Sequence, residues 1–358
     1  MMTDVIWKSE EQAVFTLRGL YRRYGYVPYK MSRFEEYDLY VRNKDFLVSD
    51  QIITFSGDGG RLLALKPDVT LSIVKNAPEE KGIVQKVYYN ENVYRDYREI
   101  MQAGLECVGD LGSYEIAEVV LLAAKSLEAL GSPFVLNISH MGLVGAMLES
   151  CGLSHREQKQ AMALLRQKNS HELRTLCDSN PDAWNKLEVL SACRGGSAEL
   201  DTIRSVLTTE AESQALEELA GLWAILEASG YGKSVRLDFS EGSDLGYYSG
   251  VVFRGYLAGI PSSVLSGGQY DKLARKMGRK ARAIGFAIYL DLLQDSRRQE
   301  NAFDVDTLIL HDGTVDTVTL TAAAEKAAAD GTVLVTVQIP EDRKWKTLIR
   351  FEKGARTE

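Results

Sequence analysis

Little in this sequence invites metal or disulfide chemistry. Its four cysteines, Cys107, Cys151, Cys177 and Cys193, stand far apart, and its four histidines are scattered singly. Neither a CxxC pair nor an HExxH helix is present, so no zinc site is readable and neither metal nor cofactor is expected. The cysteines read as reduced thiols of a soluble, cytoplasmic protein. A phosphate-cradling GxxxxGK[ST] loop is missing, as is a GxSxG elbow, and nothing arranges Ser, His and Asp as a local nucleophile signature. The glycine-rich GSDLGYYSG lacks the GxGxxG spacing of a dinucleotide loop and runs into strand formers. The start, MMTDVIWKSEEQ, is polar, and no apolar run approaches the ~18–20 residues of a membrane span. Positive charge is also short. Lys and Arg number 42 against 50 Asp and Glu, for a net −8. Such a surface repels phosphate backbones as a whole and leaves room only for a local basic groove.

What is present is ordinary globular sequence. The 358 residues, 45% hydrophobic and 26% charged, suffice for a sizeable core and two or three domains. From Glu10 to Tyr24 apolar residues fall at helical spacing and stop at Gly25. Between Phe46 and Thr70, the alternating runs IITF and RLLALK flank the turn Ser56 to Gly60 and predict a hairpin. Gly82 to Tyr94 and Ile100 to Val108 read as strands joined by RDYRE, and Ile116 to Leu130 as a helix capped by Gly131. Residues 151–229 are rich in Leu, Ala, Glu, Gln and Lys and read as a run of helices. Strands resume in SVRLDF, YYSGVVFRGYLAG and AIGFAIYLDLL. Strands rejoined by hairpins predict an α+β fold with an antiparallel sheet. The expected organisation is a core of residues 1–150 and 230–296, a helical insertion over 151–229, and a short α/β unit over 297–358 built on one βαβ.

Four segments resemble the catalytic core of class II histidyl-tRNA synthetases. LALKPDVT (Leu63 to Thr70) is similar to the family's Leu-Arg-Pro-Glu-x-Thr. VYRDYREIMQAGLECVG (Val93 to Gly109) resembles its second class motif, with Arg95 as the motif arginine and Gln102 and Glu106 as a Gln-x-x-x-Glu pair. LGYYSGVVF (Leu245 to Phe253) resembles its Tyr-Tyr-x-x-x-x-Phe strand. SGGQYDKL followed by AIGFAIYLDLL resembles its Gly-Gly-Arg-Tyr-Asp-x-Leu turn and third class motif. Each piece alone is weak; four in the family's order, around a helical insertion, are a strong signal across residues 8–295.

The resemblance implies a class II synthetase-like sheet and a histidine pocket. It places Asp68, one methylene shorter than the family's Glu, with Thr70 and Gln102 at the α-amino end. Glu106, Tyr248 and Tyr270 fall at the imidazole end. An imidazole has two distinct nitrogens, so a carboxylate and a phenol can each bond one. Strand alternation puts Gln102, Gly104 and Glu106 on one face. Taken singly, the tyrosines are better read as sheet-packing aromatics and Glu106 as a solvent residue; their joint placement reverses that and favours a pocket.

The departures imply lost catalysis. Where the third motif ends in Glu-Arg, this chain has Asp291 and Leu292, and Ser243 replaces a catalytic arginine four residues before the tyrosine pair. Guanidinium groups stabilise charge at the α-phosphate, so Arg95 is left as a vestigial phosphate-binding residue and no catalytic residue is expected. The segment after Arg95 is short, the tail is too short for the usual anticodon-binding domain, and Ser32 replaces the first motif's proline, although Glu35 fits. This pattern is similar to the regulatory-subunit family of ATP phosphoribosyltransferase. That resemblance implies a histidine-binding subunit that activates a short-form catalytic partner in the first step of histidine biosynthesis and confers feedback. It also implies a homodimer inside a larger hetero-oligomer, with neither membrane nor tRNA as partner. Two other readings stay open, an amino-acid-activating synthetase-like enzyme and a histidine- or tRNA-sensing module.

Overall fold

The strand-forming runs of the first 294 residues pair into one nine-stranded sheet. Its order is Val27–Pro28, Val84–Arg95, Arg98–Gly109, Arg282–Tyr289, Leu265–Gln269, Val251–Leu257, Phe134–His140, Val235–Asp238 and Arg194–Gly195. From Val84–Arg95 across to Phe134–His140 every neighbouring pair is antiparallel. Parallel pairing enters towards the edges, at Val27–Pro28 against Val84–Arg95 and at Phe134–His140 against Val235–Asp238. The α+β fold with an antiparallel sheet is therefore as the sequence predicts. The computed structural model describes residues 9–47, 51–78, 80–131, 133–241, 247–293, 303–352 and 355–357. The chain divides into two units, Met1–Gln294 and Asp295–Glu358.

Alternation along Arg98–Gly109 sorts its side chains between two surroundings. Ala103, Leu105 and Cys107 join Leu17 and Tyr21 of the helix Ser9–Arg23, and Leu122 and Leu127 of the helix Ser113–Ala129, in one buried cluster. The opposite face carries Gln102, Gly104 and Glu106, and it is left for the site. The RDYRE connection closes as a two-residue turn, with Arg95 opposite Arg98 and both Asp96 and Tyr97 left-handed (φ 50° and 60°). That backbone suits the twist of a hairpin but costs a non-glycine residue about 1–2 kcal/mol. The predicted hairpin is Thr54–Ser56 against Leu62–Leu65. A third strand, Phe34–Glu36, which the sequence reading did not find, joins it. All four cysteines are buried and free.

Between the strands Phe134–His140 and Val235–Asp238 run the helices Met141–Ser150, His155–Gln167, Ser170–Leu176, Pro181–Ala192, Ala198–Arg204 and Glu210–Ala228. Their Leu164, Leu165, Leu187, Leu216 and Trp223 belong to the same buried cluster as the sheet. A buried ion pair ties three of them. Lys186 Nζ lies 2.5 Å from Glu212 Oε1 and 2.6 Å from the hydroxyls of Ser150 and Thr208. The second Glu212 oxygen accepts the backbone N–H groups of Thr208 and Thr209. Burial opposes ionisation of Glu212, but these bonds win and hold its pKa down at about 2.

Lys186→Met leaves that carboxylate buried without its counter-ion, so it should lower stability by about 3–5 kcal/mol, read as a shift in the urea midpoint. Because the folded pKa of Glu212 is depressed, the stability it contributes is complete above its ordinary pKa near 4.5 and is lost as pH falls towards 2. The gap between wild type and variant should therefore narrow on acidification. A gap independent of pH would assign the loss to packing alone.

In the second unit, Val333–Thr336, Val305–His311 and Trp345–Glu352 are parallel, and Ala355–Thr357 closes the sheet antiparallel to the last. Asp316 caps the helix Thr317–Asp330 by accepting the Thr319 N–H at 2.9 Å. Leu320, Ala323, Ala324 and Ala327 of that helix pack on Ile309 and Phe351. The predicted βαβ is present, and the two later strands are additions to it. No helix among the described residues is long and apolar enough to cross a membrane.

Candidate functional site

On the sheet face turned away from the helices Ser9–Arg23 and Ser113–Ala129 lies a cavity of about 490 Å³. Glu106 and its cross-strand partner Gly285 line it, and Gly268 pairs with Gly285 one strand further on. Both glycines are there for close approach. A Cβ on Gly285 would fall 1.6 Å from Glu106 Oε2, and one on Gly268 would fall 2.6 Å from the Tyr248 ring. Their missing side chains are the space into which the carboxylate and the ring lean.

Asp68, Thr70, Arg95, Gln102, Glu106, Tyr248 and Tyr270 all line this one cavity. They reach it from separate elements. Asp68 precedes the short helix Thr70–Lys75 and accepts the Leu71 N–H at 2.9 Å, which fixes its carboxylate at the helix start. Gln102 and Glu106 rise from the strand Arg98–Gly109, and Arg95 stands at the end of its hairpin partner. Tyr270 sits between the strand Leu265–Gln269 and the helix Asp271–Lys276, anchored by its own N–H on Ala283 O and by Asp271 accepting the Ala283 N–H.

Glu106 is the hub, and it is 2% exposed. The Thr70 hydroxyl donates to its Oε1 at 2.9 Å and the Tyr270 hydroxyl donates to its Oε2. Thr70, assigned by the resemblance to the α-amino end, thus gives its proton to the carboxylate of the other end and keeps its oxygen as an acceptor. Burial, reinforced by the negative charge of Asp68, pushes Glu106 up to about 8 against those two hydrogen bonds. Burial also raises Asp68, which Arg95 and the backbone N–H groups of Leu71 and Thr70 pull back down. Two carboxylates that resist ionisation in an enclosed space make a receptor for a cation with several N–H donors. The Tyr270 hydroxyl rises well above its ordinary pKa, through burial and then the nearby Glu106, so it remains a donor.

Sequence reasoning missed several lining residues, among them Tyr89, Tyr247, Arg166 and Arg254. Tyr247 packs edge-on to Tyr248 with centroids 4.4 Å apart and lies 6.2 Å from Tyr270, completing an aromatic wall. Arg254 was within reach of the same alternation that found Glu106, because the adjacent Phe253 faces the main buried cluster and Arg254 therefore faces the other way.

The departures at the end of the third motif have become structural. Asp291 accepts the Met101 N–H at 3.2 Å, and Leu292 packs against the main buried cluster. An apolar side chain offers no hydrogen bond and no charge to a phosphate. Ser243, another departure, lies outside the described residues.

Comparison with known proteins bears on the fold and the family. The profile of the histidyl-tRNA synthetase family matches residues 5–293. An ATP phosphoribosyltransferase regulatory subunit of Halalkalibacterium halodurans is 30% identical over 269 residues, 71% of this chain and 68% of the relative. A crystal structure from Bacillus halodurans, described as an ATP phosphoribosyltransferase regulatory subunit/histidyl-tRNA synthetase, superposes with a TM-score of 0.76 at 25% identity, covering 96% of this chain and 94% of that one. A chain of the ATP phosphoribosyl transferase complex from Thermotoga maritima shares the fold, with a TM-score of 0.61 at 18% identity over 78% of this chain and 96% of that one. The chain belongs to the histidyl-tRNA synthetase family, among its ATP phosphoribosyltransferase regulatory subunits.

Proposed function

We propose that this chain is the non-catalytic regulatory subunit of an ATP phosphoribosyltransferase, a cytoplasmic protein that binds free L-histidine for feedback control. In this reading it activates a short-form catalytic subunit, as a homodimer within a larger hetero-oligomer. The observation that carries it is one cavity lined by Asp68, Thr70, Glu106, Tyr248 and Tyr270, in a chain where Leu292 stands in place of the third motif's arginine. The ammonium group goes to Asp68, and the imidazole N–H goes to Glu106, whose other partners Thr70 and Tyr270 hold it in place. The phenols of the aromatic wall meet the remaining ring nitrogen and reject side chains without one. The names of the relatives support the assignment, as does the origin of the Thermotoga maritima chain in a complex.

Calorimetry tests it. L-histidine should bind with a Kd on the order of micromolar to sub-millimolar, since a free amino acid offers few atoms. ATP should give no heat, and ATP–pyrophosphate exchange should be absent. Tight ATP binding, or exchange above background, would return the chain to the amino-acid-activating enzymes.

A further inference from the structure

A second cavity, of about 920 Å³, opens between the helices Met141–Ser150 and His155–Gln167 and the core residues Tyr248, Ser249 and Lys272. It is a groove more than a pit. Along the second helix its lining residues are His155, Gln158, Lys159, Met162, Ala163 and Arg166, at i, i+3, i+4, i+7, i+8 and i+11. That spacing is one face of the helix, and it runs roughly 16 Å from the first turn to the last. The facing helix contributes Gly142, Gly145 and Ala146, whose small size leaves the groove deep.

The buried part of this lining is apolar and the exposed part is basic. Met141, Leu148 and Met162 belong to the main buried cluster and also line the groove. With them stand Lys159, Arg166 and Lys272, three cations against the single carboxylate of Glu149. The chain as a whole carries −8, so this excess of positive charge is a local exception. Lys159 and Arg166 are exposed, and Lys272 is half-buried. Charges exposed in this way add little to affinity but govern steering and the choice of partner, whereas apolar burial supplies the affinity. A small inorganic anion would use the cations alone and leave the methionines wet. A chain segment that carries carboxylates and apolar side chains together uses both.

We propose that an acidic segment of the catalytic partner docks in this groove, its carboxylates meeting Lys159, Arg166 and Lys272 and its apolar side chains covering the methionines. This rests on the proposed function, which requires a partner, and adds the surface that receives it. The position has a consequence for control. Tyr248 and Arg166 line both this groove and the histidine cavity. A segment seated in the groove therefore touches two side chains that also face the ligand, and a shift of either on histidine binding changes its contacts. Differential contact of that kind is what a coupling free energy between two sites consists of.

The test titrates the full-length protein against a purified short-form catalytic subunit and follows association by surface plasmon resonance. Lys159→Glu should weaken the complex about tenfold, mainly through slower association, and the loss should shrink at high salt. Ala163→Trp fills the groove without changing its charge and should weaken the complex by at least about tenfold at any salt concentration. Both positions are exposed on the helix, so both variants should fold and bind L-histidine as the wild type does, which calorimetry checks. If both variants bind the catalytic subunit like the wild type, docking in the groove is overturned and the regulatory reading stands. Inorganic pyrophosphate probes the competing occupant. If the isolated chain binds it, and Lys159→Glu abolishes that binding while the complex is unaffected, the groove is a small-anion site and the docking proposal falls. A wild-type chain that does not associate with the catalytic subunit at all removes the proposed function itself.

Discussion

Glu106→Gln should weaken L-histidine binding about tenfold to a hundredfold while raising the melting temperature of the ligand-free protein at pH 8. The first effect follows from replacing a charged acceptor by a neutral amide of the same shape, since a charge-assisted hydrogen bond is worth roughly 1.5–3 kcal/mol. The second follows from linkage. In the empty cavity Glu106 holds its proton up to about 8, whereas an ordinary glutamate releases it near 4.5. Below 4.5 folded and unfolded chains both carry the proton and nothing is lost. Between 4.5 and 8 the folded chain binds more protons than the unfolded one, so stability falls as pH rises, and above 8 the penalty is complete. Glutamine cannot titrate. Hydroxyls rotate, so Thr70 and Tyr270 can still satisfy the amide.

The same proton sets a pH dependence for binding. Glu106 must lose it before it can meet the imidazole as a charged acceptor, so wild-type affinity relative to the variant should climb by up to about tenfold per pH unit from 6 towards 8 and then level off. Taking the ratio removes the titration of the ligand's own imidazole. A variant that binds histidine normally but melts lower at pH 8 would make Glu106 a structural residue.

Much of this site was legible because strand alternation is a strict rule. Once Arg98–Gly109 is read as a strand, Gln102 and Glu106 must share a face, and the apolar Ala103, Leu105 and Cys107 must take the other. What alternation cannot supply is register. Gly285 matters because it lies directly across from Glu106, and Gly268 because it lies across from Gly285 and against the Tyr248 ring, and nothing in their own segments announces it. Tyr89 is hidden for the same reason, being the cross-strand partner of Gly104. Two-residue strands such as Val27–Pro28 and Arg194–Gly195 are too short to show any period. Trp345–Glu352 escaped because Lys346 and Arg350, exposed on its surface, break up its apolar run. Arg95 was identified by its motif position. Its contacts with Asp68 and Pro67, which turn it towards the amino-acid end, depend on a fold that brings residues 67, 68 and 95 together.

Mixed with a purified short-form ATP phosphoribosyltransferase, the wild-type chain should co-elute with it, raise its rate, and make that rate sensitive to L-histidine. A metabolite cavity that performs no chemistry changes nothing unless a partner responds to its occupancy. The size of the response is bounded by thermodynamics. A ligand shifts an active–inactive balance only by its affinity ratio for the two states, so strong inhibition needs roughly a hundredfold preference, about 2.7 kcal/mol, for the inactive assembly. Reciprocity follows, and substrates of the catalytic subunit that favour the active state should weaken histidine binding to this chain by the same factor. A Glu106→Gln, Tyr270→Phe double variant separates the two roles. It removes the carboxylate and the phenol hydroxyl that donates to it, and both lie inside the cavity. Neither side chain is exposed, so the variant should still activate the catalytic subunit and should resist histidine by at least about tenfold in the concentration giving half inhibition. A double variant as sensitive as the wild type would place the feedback site elsewhere. A wild-type chain that neither co-elutes nor changes the rate would remove the regulatory-subunit reading and leave only a histidine-binding protein.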